Sequence, residues 1–309
     1  MGRWMSWWAT IPLPTMKMTS IPPAVPAAAH LWGGTPTASR TPSSAWAAKS
    51  TSWNRTTAKT TCTAPSPAKI YDVKAFGDTL LLETESPAGE DGFPGNLKIS
   101  VRYILTEDNA LRMDYRVSSD ADTILNLTNH TYFNLDGGGD VLNQKLRIYA
   151  SRYLEGNNET CPTGNILPVD NTPMDFRAGK VIGRDIDTGF AQTTMVGGGY
   201  DHCFVIDRGR GASQSLCAWA SSDKTGISMK VYTTQPGVQL YTANFLQDCP
   251  SPGKGGVPMQ KYGGFALETQ HFPCSPSHPE FPSTVLRAGK VFRANTTLRF
   301  FTGKQCGKL

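Results

Sequence analysis

Short runs in which apolar and polar residues alternate recur from Thr79 to the end of the chain, and they restrict its fold more than any other feature. One run extends from Leu97 to Tyr103, a second from Leu111 to Val117, and a third from Ile227 to Val231. Successive side chains of a β-strand point to opposite faces of the sheet, so each run is a strand with one buried face. Turn residues (Gly, Pro, Asn and Asp) separate the runs, which is typical of antiparallel strands. The sequence therefore predicts an all-β sandwich of large antiparallel sheets.

The first 71 residues differ in composition from the rest of the chain. They contain no Asp or Glu, seven Lys and Arg, and six of the seven Trp. Residues 72–309 hold all 25 acids and 23 bases, a net charge of −2, so nothing favours nucleic acid or an anionic membrane surface as a partner. The early segment has neither strand alternation nor a helical stripe, and its composition is typical of disorder. A targeting peptide is a second interpretation, although the bases are scattered and no apolar run reaches membrane-spanning length.

Three later segments carry the side chains that acid/base chemistry requires. They are Asn126–Leu135 with His130, Gly199–His202 with Asp201, and Gly264–Pro273 with Glu268. An imidazole titrates near neutral pH, and apolar neighbours such as Phe265 and Leu267 can desolvate a carboxylate and raise its pKa. Each residue type also has a structural interpretation: a buried core histidine, a turn aspartate and an ion-paired glutamate.

In this order the three segments resemble the aldose 1-epimerase (mutarotase) family. The most specific match is Asn129–Leu135, and Leu267–Pro273 matches the segment that carries the family's catalytic glutamate. The resemblance implies a galactose-mutarotase-like β-supersandwich that interconverts the anomers of galactose or glucose without cofactor or metal. It implies that His130 protonates the ring oxygen and that Glu268 is the general base for the C1 hydroxyl.

The same resemblance implies three residues that bind the sugar, namely Asp201, Gln239 and Asn244. A carboxylate accepts hydrogen bonds from two neighbouring hydroxyls, which orients a sugar. Tyr132 and Phe133 offer an aromatic wall, with core packing as the alternative. One departure is Cys274, which stands where the family has aspartate.

A reading-frame change accounts for the early segment better than disorder or targeting does. Read from the third base of each codon, with synonymous codons chosen freely, residues 8–19 can encode Gly-Tyr-Asp-Thr-Leu-Ala-Asp-Tyr-Glu-Asp-Asp, and residues 57–64 can encode Gly-Lys-Asn-Asn-Leu-His-Gly. Both resemble the family's N-terminal sequence. We therefore expect residues 1–70 to be an aberrant, frameshifted and poorly ordered segment before an epimerase domain at 71–309. The arginine and second histidine that the family supplies here are absent, so the chain as written is expected to be weakly active or inactive.

Other features restrict the partners and the compartment. The seven cysteines are odd in number, widely spaced and without a Cys-x-x-Cys pair, which predicts neither a zinc site nor a disulfide framework. We expect a cytoplasmic monomer or homodimer with a small aldose as its partner. Two alternatives stay open. A hexose-6-phosphate 1-epimerase requires Arg or Lys clustered at the pocket, and a non-catalytic carbohydrate-binding protein does not require the His130 and Glu268 pair.

Overall fold

The computed structural model describes residues 8–9, 71–209, 213–249, 253 and 256–303, and β-strands dominate it. The strands are β1 (Trp8–Ala9), β2 (Asp72–Phe76), β3 (Thr79–Ser86), β4 (Leu97–Leu105), β5 (Ala110–Ser119), β6 (Thr123–Ile124), β7 (Tyr132–Phe133), β8 (Lys145–Ile148), β9 (Arg152–Gly156), β10 (Pro162–Pro168), β11 (Lys180–Val181), β12 (Asp201–Val205), β13 (Ser215–Ser221), β14 (Ile227–Thr233), β15 (Gly237–Tyr241), β16 (Phe265–Gln270), β17 (Val285–Leu286) and β18 (Val291–Thr302). Helical structure in these residues comprises α1 (Ala191–Met195) and the 3₁₀ turns Glu90–Gly92, Ile182–Asp185, Leu246–Asp248 and Ser275–Ser277.

Nine strands form the larger sheet, in the order β11-β8-β13-β14-β18-β5-β4-β3-β2. All neighbours in it are antiparallel. Strands β2 to β5 form a meander whose tight turns use Gly77 and Asn109, both at positive φ. Asn and Gly adopt this conformation more readily than other residues, which is why the chain reverses at these points.

Seven strands form the smaller sheet, in the order β1-β7-β16-β15-β12-β9-β10. Its neighbours are antiparallel except for the parallel pair of β1 and β7. A separate two-stranded pairing joins β6 and β17.

One hydrophobic core contains side chains from both large sheets. Met113, Tyr115 and Val117 enter it from the larger sheet, and Leu240 and Leu267 enter it from the smaller one. The alternating runs predicted the buried positions of the larger sheet, because every second residue of each run belongs to this core or packs against it. The all-β prediction with large antiparallel sheets is therefore confirmed.

Three features considered in the sequence are the early segment, membrane-spanning segments and the cysteines. The predicted segment 1–70 lies outside the described residues apart from Trp8–Ala9, and so does its predicted disorder. Within the described ranges, no helix has the length and apolar character needed to cross a membrane. The five cysteines of these ranges, namely Cys161, Cys203, Cys217, Cys249 and Cys274, are thiols and not members of disulfides.

Candidate active site

One face of the seven-stranded sheet carries the polar residues that the sequence singled out. Gln239 of β15 lies directly opposite Glu268 of β16 and, on its other side, opposite Cys203 of β12. Strand alternation turns Leu240 and Leu267 to the core, so Gln239 and Glu268 face away from it. The register of three strands therefore builds a polar row on the outer face of this sheet.

Glu268 is almost completely buried, with 1% of its surface exposed. Burial raises its pKa well above the ordinary value of a carboxyl group, and the negative charge of Asp201 raises it further. Its Oε2 atom has no hydrogen-bond partner among the described residues. A desolvated carboxylate with a free oxygen is a strong proton acceptor, as a general base must be.

The segment before β7 brings His130 to Glu268. Asn126 exchanges two hydrogen bonds with the backbone of His271: its Nδ2 donates to the carbonyl at 2.9 Å, and its Oδ1 accepts from the amide at 3.0 Å. The hydroxyl of Thr128 donates to the carbonyl of Thr269 at 3.0 Å. These contacts hold the segment alongside β16, and the His130 Nε2 lies 3.4 Å from the Glu268 Oε1. Asn126 thus fixes the backbone of the segment that follows Glu268.

Asp201 and Gln239 form the second half of the polar face. The Gln239 Nε2 donates to the Asp201 Oδ1 at 2.7 Å. Burial raises the pKa of Asp201 to about 6, although the hydrogen bond from Gln239 opposes this shift. The Gln239 Oε1 has no hydrogen-bond partner among the described residues. A carboxylate and an amide oxygen are therefore both available to accept hydrogen bonds from hydroxyl groups.

The glycine that lies two residues before Asp201 allows the chain to pass close to Asn244. Gly199 has a φ of +147°, and a Cβ atom there would lie 2.1 Å from the Asn244 Oδ1. Asn244 itself is 1% exposed. Its Nδ2 donates to the carbonyls of Val196 and Tyr200, at 2.8 and 3.2 Å, and its Oδ1 accepts from the Thr242 hydroxyl at 2.6 Å. The amide of Asn244 is thus occupied by the chain that leads into β12, and its predicted role in sugar binding stays a prediction.

Two tyrosines stand beside His130. The ring centroids of His130 and Tyr132 are 4.9 Å apart, and those of His130 and Tyr241 are 6.0 Å apart. Tyr241 was not among the residues predicted from the sequence, although it follows Gln239 by two positions and therefore shares its face. Phe133, by contrast, is a core residue, 2% exposed.

A cleft adjoins this face. Its lining residues are Leu154, Glu155, Gly156, Thr160, Pro162, Asp201, His202, Cys203, Gln239 and Pro273. His202 is buried: its Nε2 lies 3.2 Å from the Gln192 Oε1, and burial lowers its pKa to about 4. In the described ranges, no group of three or more His, Cys, Asp or Glu side chains is arranged to hold a metal ion. The side chains gathered at this face can exchange protons and accept hydrogen bonds from hydroxyl groups.

Comparison with known proteins identifies relatives of this chain. Residues 63–299 match the sequence model of the family described as aldose 1-epimerase. The chain is 40% identical over 236 residues to an aldose 1-epimerase of Haemophilus influenzae, covering 74% of this chain and 67% of that protein. It is 38% identical over 217 residues to a galactose mutarotase of Rattus norvegicus, covering 70% of this chain and 60% of that one. The chain thus spans about two thirds or less of the length of these relatives.

A solved structure agrees with the architecture. The aldose epimerase homologue from C. elegans superimposes with a TM-score of 0.68 at 27% identity, covering 76% of this chain and 69% of that one. This likeness confirms the mutarotase-like β-supersandwich that the resemblance implied.

Proposed function

The chain belongs to the aldose 1-epimerase family, and from that premise we propose that it interconverts the α and β anomers of galactose or glucose by opening and reclosing the sugar ring. The single observation that carries the proposal is the 3.4 Å approach of the His130 Nε2 to the Glu268 Oε1. The same face also holds the carboxylate of Asp201, which accepts a hydrogen bond from Gln239, and the Gln239 Oε1, which has no partner among the described residues.

The proposed chemistry needs one base and one acid at neighbouring oxygens. Glu268 removes the proton of the C1 hydroxyl while His130 gives a proton to the ring oxygen, and the C1–O5 bond breaks. Rotation about the C1–C2 bond exposes the other face of the carbonyl group. Ring closure reverses both proton transfers and yields the other anomer. The C1 hydroxyl oxygen and the ring oxygen are bonded to the same carbon and therefore lie close together. The short distance between Glu268 and His130 is suited to two oxygens at that spacing.

Four further residues support binding of a neutral sugar. Asp201, oriented by Gln239, accepts hydrogen bonds from neighbouring hydroxyls. Tyr132 and Tyr241 offer ring surface to the C–H bonds of the sugar. No Lys or Arg is among the described residues that line the cleft, which favours a neutral aldose over the hexose phosphate of the alternative interpretation.

Asn244 has a more limited role in this proposal than the sequence suggested. Its contacts with Val196, Tyr200 and Thr242 support a positioning role for the start of β12. A cytoplasmic location and a monomeric or homodimeric state remain predictions from the sequence, and sedimentation velocity measures the second.

Polarimetry tests the proposal on freshly dissolved α-D-galactose. The proteins compared are the chain with its N-terminal reading frame restored and the variants Glu268→Gln and His130→Asn of that protein. We expect a decline of optical rotation faster than the spontaneous rate, and a loss of about 10²- to 10⁴-fold in either variant. Tight binding of galactose without any acceleration would instead assign the scaffold to a non-catalytic carbohydrate-binding protein.

A further inference from the structure

The outer face of the nine-stranded sheet carries mostly cationic side chains. Five neighbouring strands, β8, β13, β14, β18 and β5, turn seven Lys and Arg away from the core, against the single acid Asp114. The cations are Lys145, Arg147, Lys230, Arg293, Arg299, Arg112 and Arg116. We call these seven residues the basic face. It lies on a different sheet from the candidate active site and does not depend on the proposed function.

Two pairs of like charges lie directly opposite each other on the basic face. Lys230 of β14 is the register partner of Arg299 of β18, and Arg116 of β5 is the register partner of Arg293 of β18. Like charges in such cross-strand pairs destabilise a sheet. An anionic ligand that lies over a pair removes the repulsion, so the arrangement is suited to binding.

The sheet itself neutralises only part of this charge. Arg102 and Arg112 share the carboxylate of Asp114, at 3.2 and 2.7 Å. Arg299 reaches Asp108 at 3.3 Å. Among the described residues, no carboxylate forms an ion pair with any of four members of the basic face, which are Arg116, Arg147, Lys230 and Arg293.

Two donors of the basic face also lack partners. The Nε atoms of Arg147 and Arg299 are buried, and neither has a hydrogen-bond partner in the described part of the chain. Arg147, Trp219, Lys230 and Arg299 lie in one row across four strands, so a ligand meets three cations along a single line.

The aromatic residues of this face favour a carboxylate ligand over bases that stack. Lys230 and Arg299 both lie over the ring of Phe301, each 5.4 Å from its centroid. Trp219 is only 6% exposed. Rings that cations cover cannot serve as stacking platforms for single-stranded nucleic acid. Guanidinium groups bind carboxylates in a bidentate manner, which makes an acidic peptide the better match.

The spacing of the two like-charge pairs defines the length of the ligand. Arg293 and Arg299 lie on the same strand, and their separation along β18 is about 20 Å at the usual rise per residue. We propose that the basic face binds an extended acidic segment of a partner protein, with carboxylates clustered at two points about 20 Å apart.

Fluorescence anisotropy with a labelled peptide tests the proposal. The probe is Glu-Glu-Ser-Gly-Ser-Gly-Glu-Glu, added to the full chain at low ionic strength (about 0.05 M salt). We expect saturable binding that weakens as salt is raised. The double variants Lys230→Gln/Arg299→Gln and Arg116→Gln/Arg293→Gln each lose about tenfold in affinity.

The matched control is Arg102→Gln on the same sheet face, because Arg102 already pairs with Asp114. It should change affinity by less than about twofold. Both double variants should melt at the same temperature as the parent or higher, since they remove repulsion. A lower melting temperature, unchanged peptide affinity in both double variants, or equally tight binding of a uridine oligonucleotide would overturn the proposal.

Discussion

At the scale of single residues, the proposed chemistry depends on how the fold changes the acidity of Glu268. Its pKa is raised by burial and by Asp201, so the folded protein binds this proton more tightly than the unfolded chain does. The stability that this group contributes is present at low pH and is lost as pH rises through the folded-state pKa. We expect activity to show the opposite trend, because the proposed general base must be ionised.

The variant Glu268→Gln separates these two effects. In the frame-restored protein we expect a loss of catalysis of at least about 10²-fold, together with a gain of about 0.5–2 kcal/mol in the free energy of unfolding at alkaline pH. Near pH 4 the gain should vanish. Urea denaturation at both pH values, combined with polarimetry, measures this. Equal stability of variant and parent at alkaline pH would contradict the assigned desolvation of Glu268.

Asp201 predicts a second dependence on pH. Its pKa is raised to about 6 by burial, so it loses its charge as pH falls through that value. A protonated carboxyl accepts fewer hydrogen bonds from sugar hydroxyls, and we expect the affinity for galactose to fall below about pH 6. The variant Asp201→Asn should bind more weakly and show little change between pH 5 and pH 7. Titration of galactose followed by NMR gives both affinities, and a parent that binds equally well across this range would refute the role of Asp201.

Cys274 gives a prediction about stability. It has φ 57° and ψ 17°, in the left-handed region. Asn and Asp tolerate this conformation better than other residues with a side chain, which offers a physical reason for the aspartate expected at this position. The variant Cys274→Asn should raise the free energy of unfolding by about 0.5–1 kcal/mol. Chemical denaturation measures it, and a less stable variant would mean that packing of the thiol outweighs the backbone preference.

At the scale of elements, the loop before β12 is under tighter restraint than its glycine-rich sequence suggests. Gly199→Ala would force a methyl group against Asn244 and leave a non-glycine residue at φ +147°. We expect a loss of roughly 2 kcal/mol or more in stability and weaker sugar binding, since Asp201 follows two positions later. Gly209→Ala is the matched control, because nothing lies within 4 Å of its added Cβ. In thermal denaturation, Gly199→Ala should melt at a clearly lower temperature than Gly209→Ala. Similar melting temperatures of the two variants would count against the steric argument.

Part of the fold and of the candidate site could be predicted from the sequence alone. Alternation predicted the strands, and motif resemblance supplied His130 and Glu268. Local pattern could not predict the contact between Asn126 and His271, which are 145 positions apart. It also could not show that Asn244 turns its amide to the backbone, because this depends on Ala243 at φ 55° and on the hydrogen bond from the Asn244 Nδ2 to the carbonyl of Val196. The like-charge pairs of the basic face required the register of β14, β18 and β5, which no single strand reveals.

At the scale of the whole molecule, the two proposed binding sites lie on different sheets. They share one core, so the polar row with Glu268 and the basic face lie on opposite outer surfaces of the sandwich. Substitutions on surfaces separated by a core and without common partners usually act additively. The peptide and sugar experiments therefore report on independent sites, and failure of one leaves the other unaffected.

The last prediction concerns residues 2 to about 70, which we propose to be a frameshifted translation. The described part of the chain contains His130, Glu268, Asp201 and Gln239, and the family match begins at residue 63. The family resemblance adds an arginine and a second histidine that exist here only out of frame, and loss of one active-site donor lowers a rate by about 10²-fold or more. Restoring the frame should thus raise galactose mutarotation by at least about 10² relative to the chain as written. Polarimetry of both proteins at equal concentration measures the ratio, with circular dichroism to establish that each is folded. Equal rates would mean that the N-terminal residues, as they stand, already serve the site, and an uninterrupted reading frame in the encoding DNA would remove the premise.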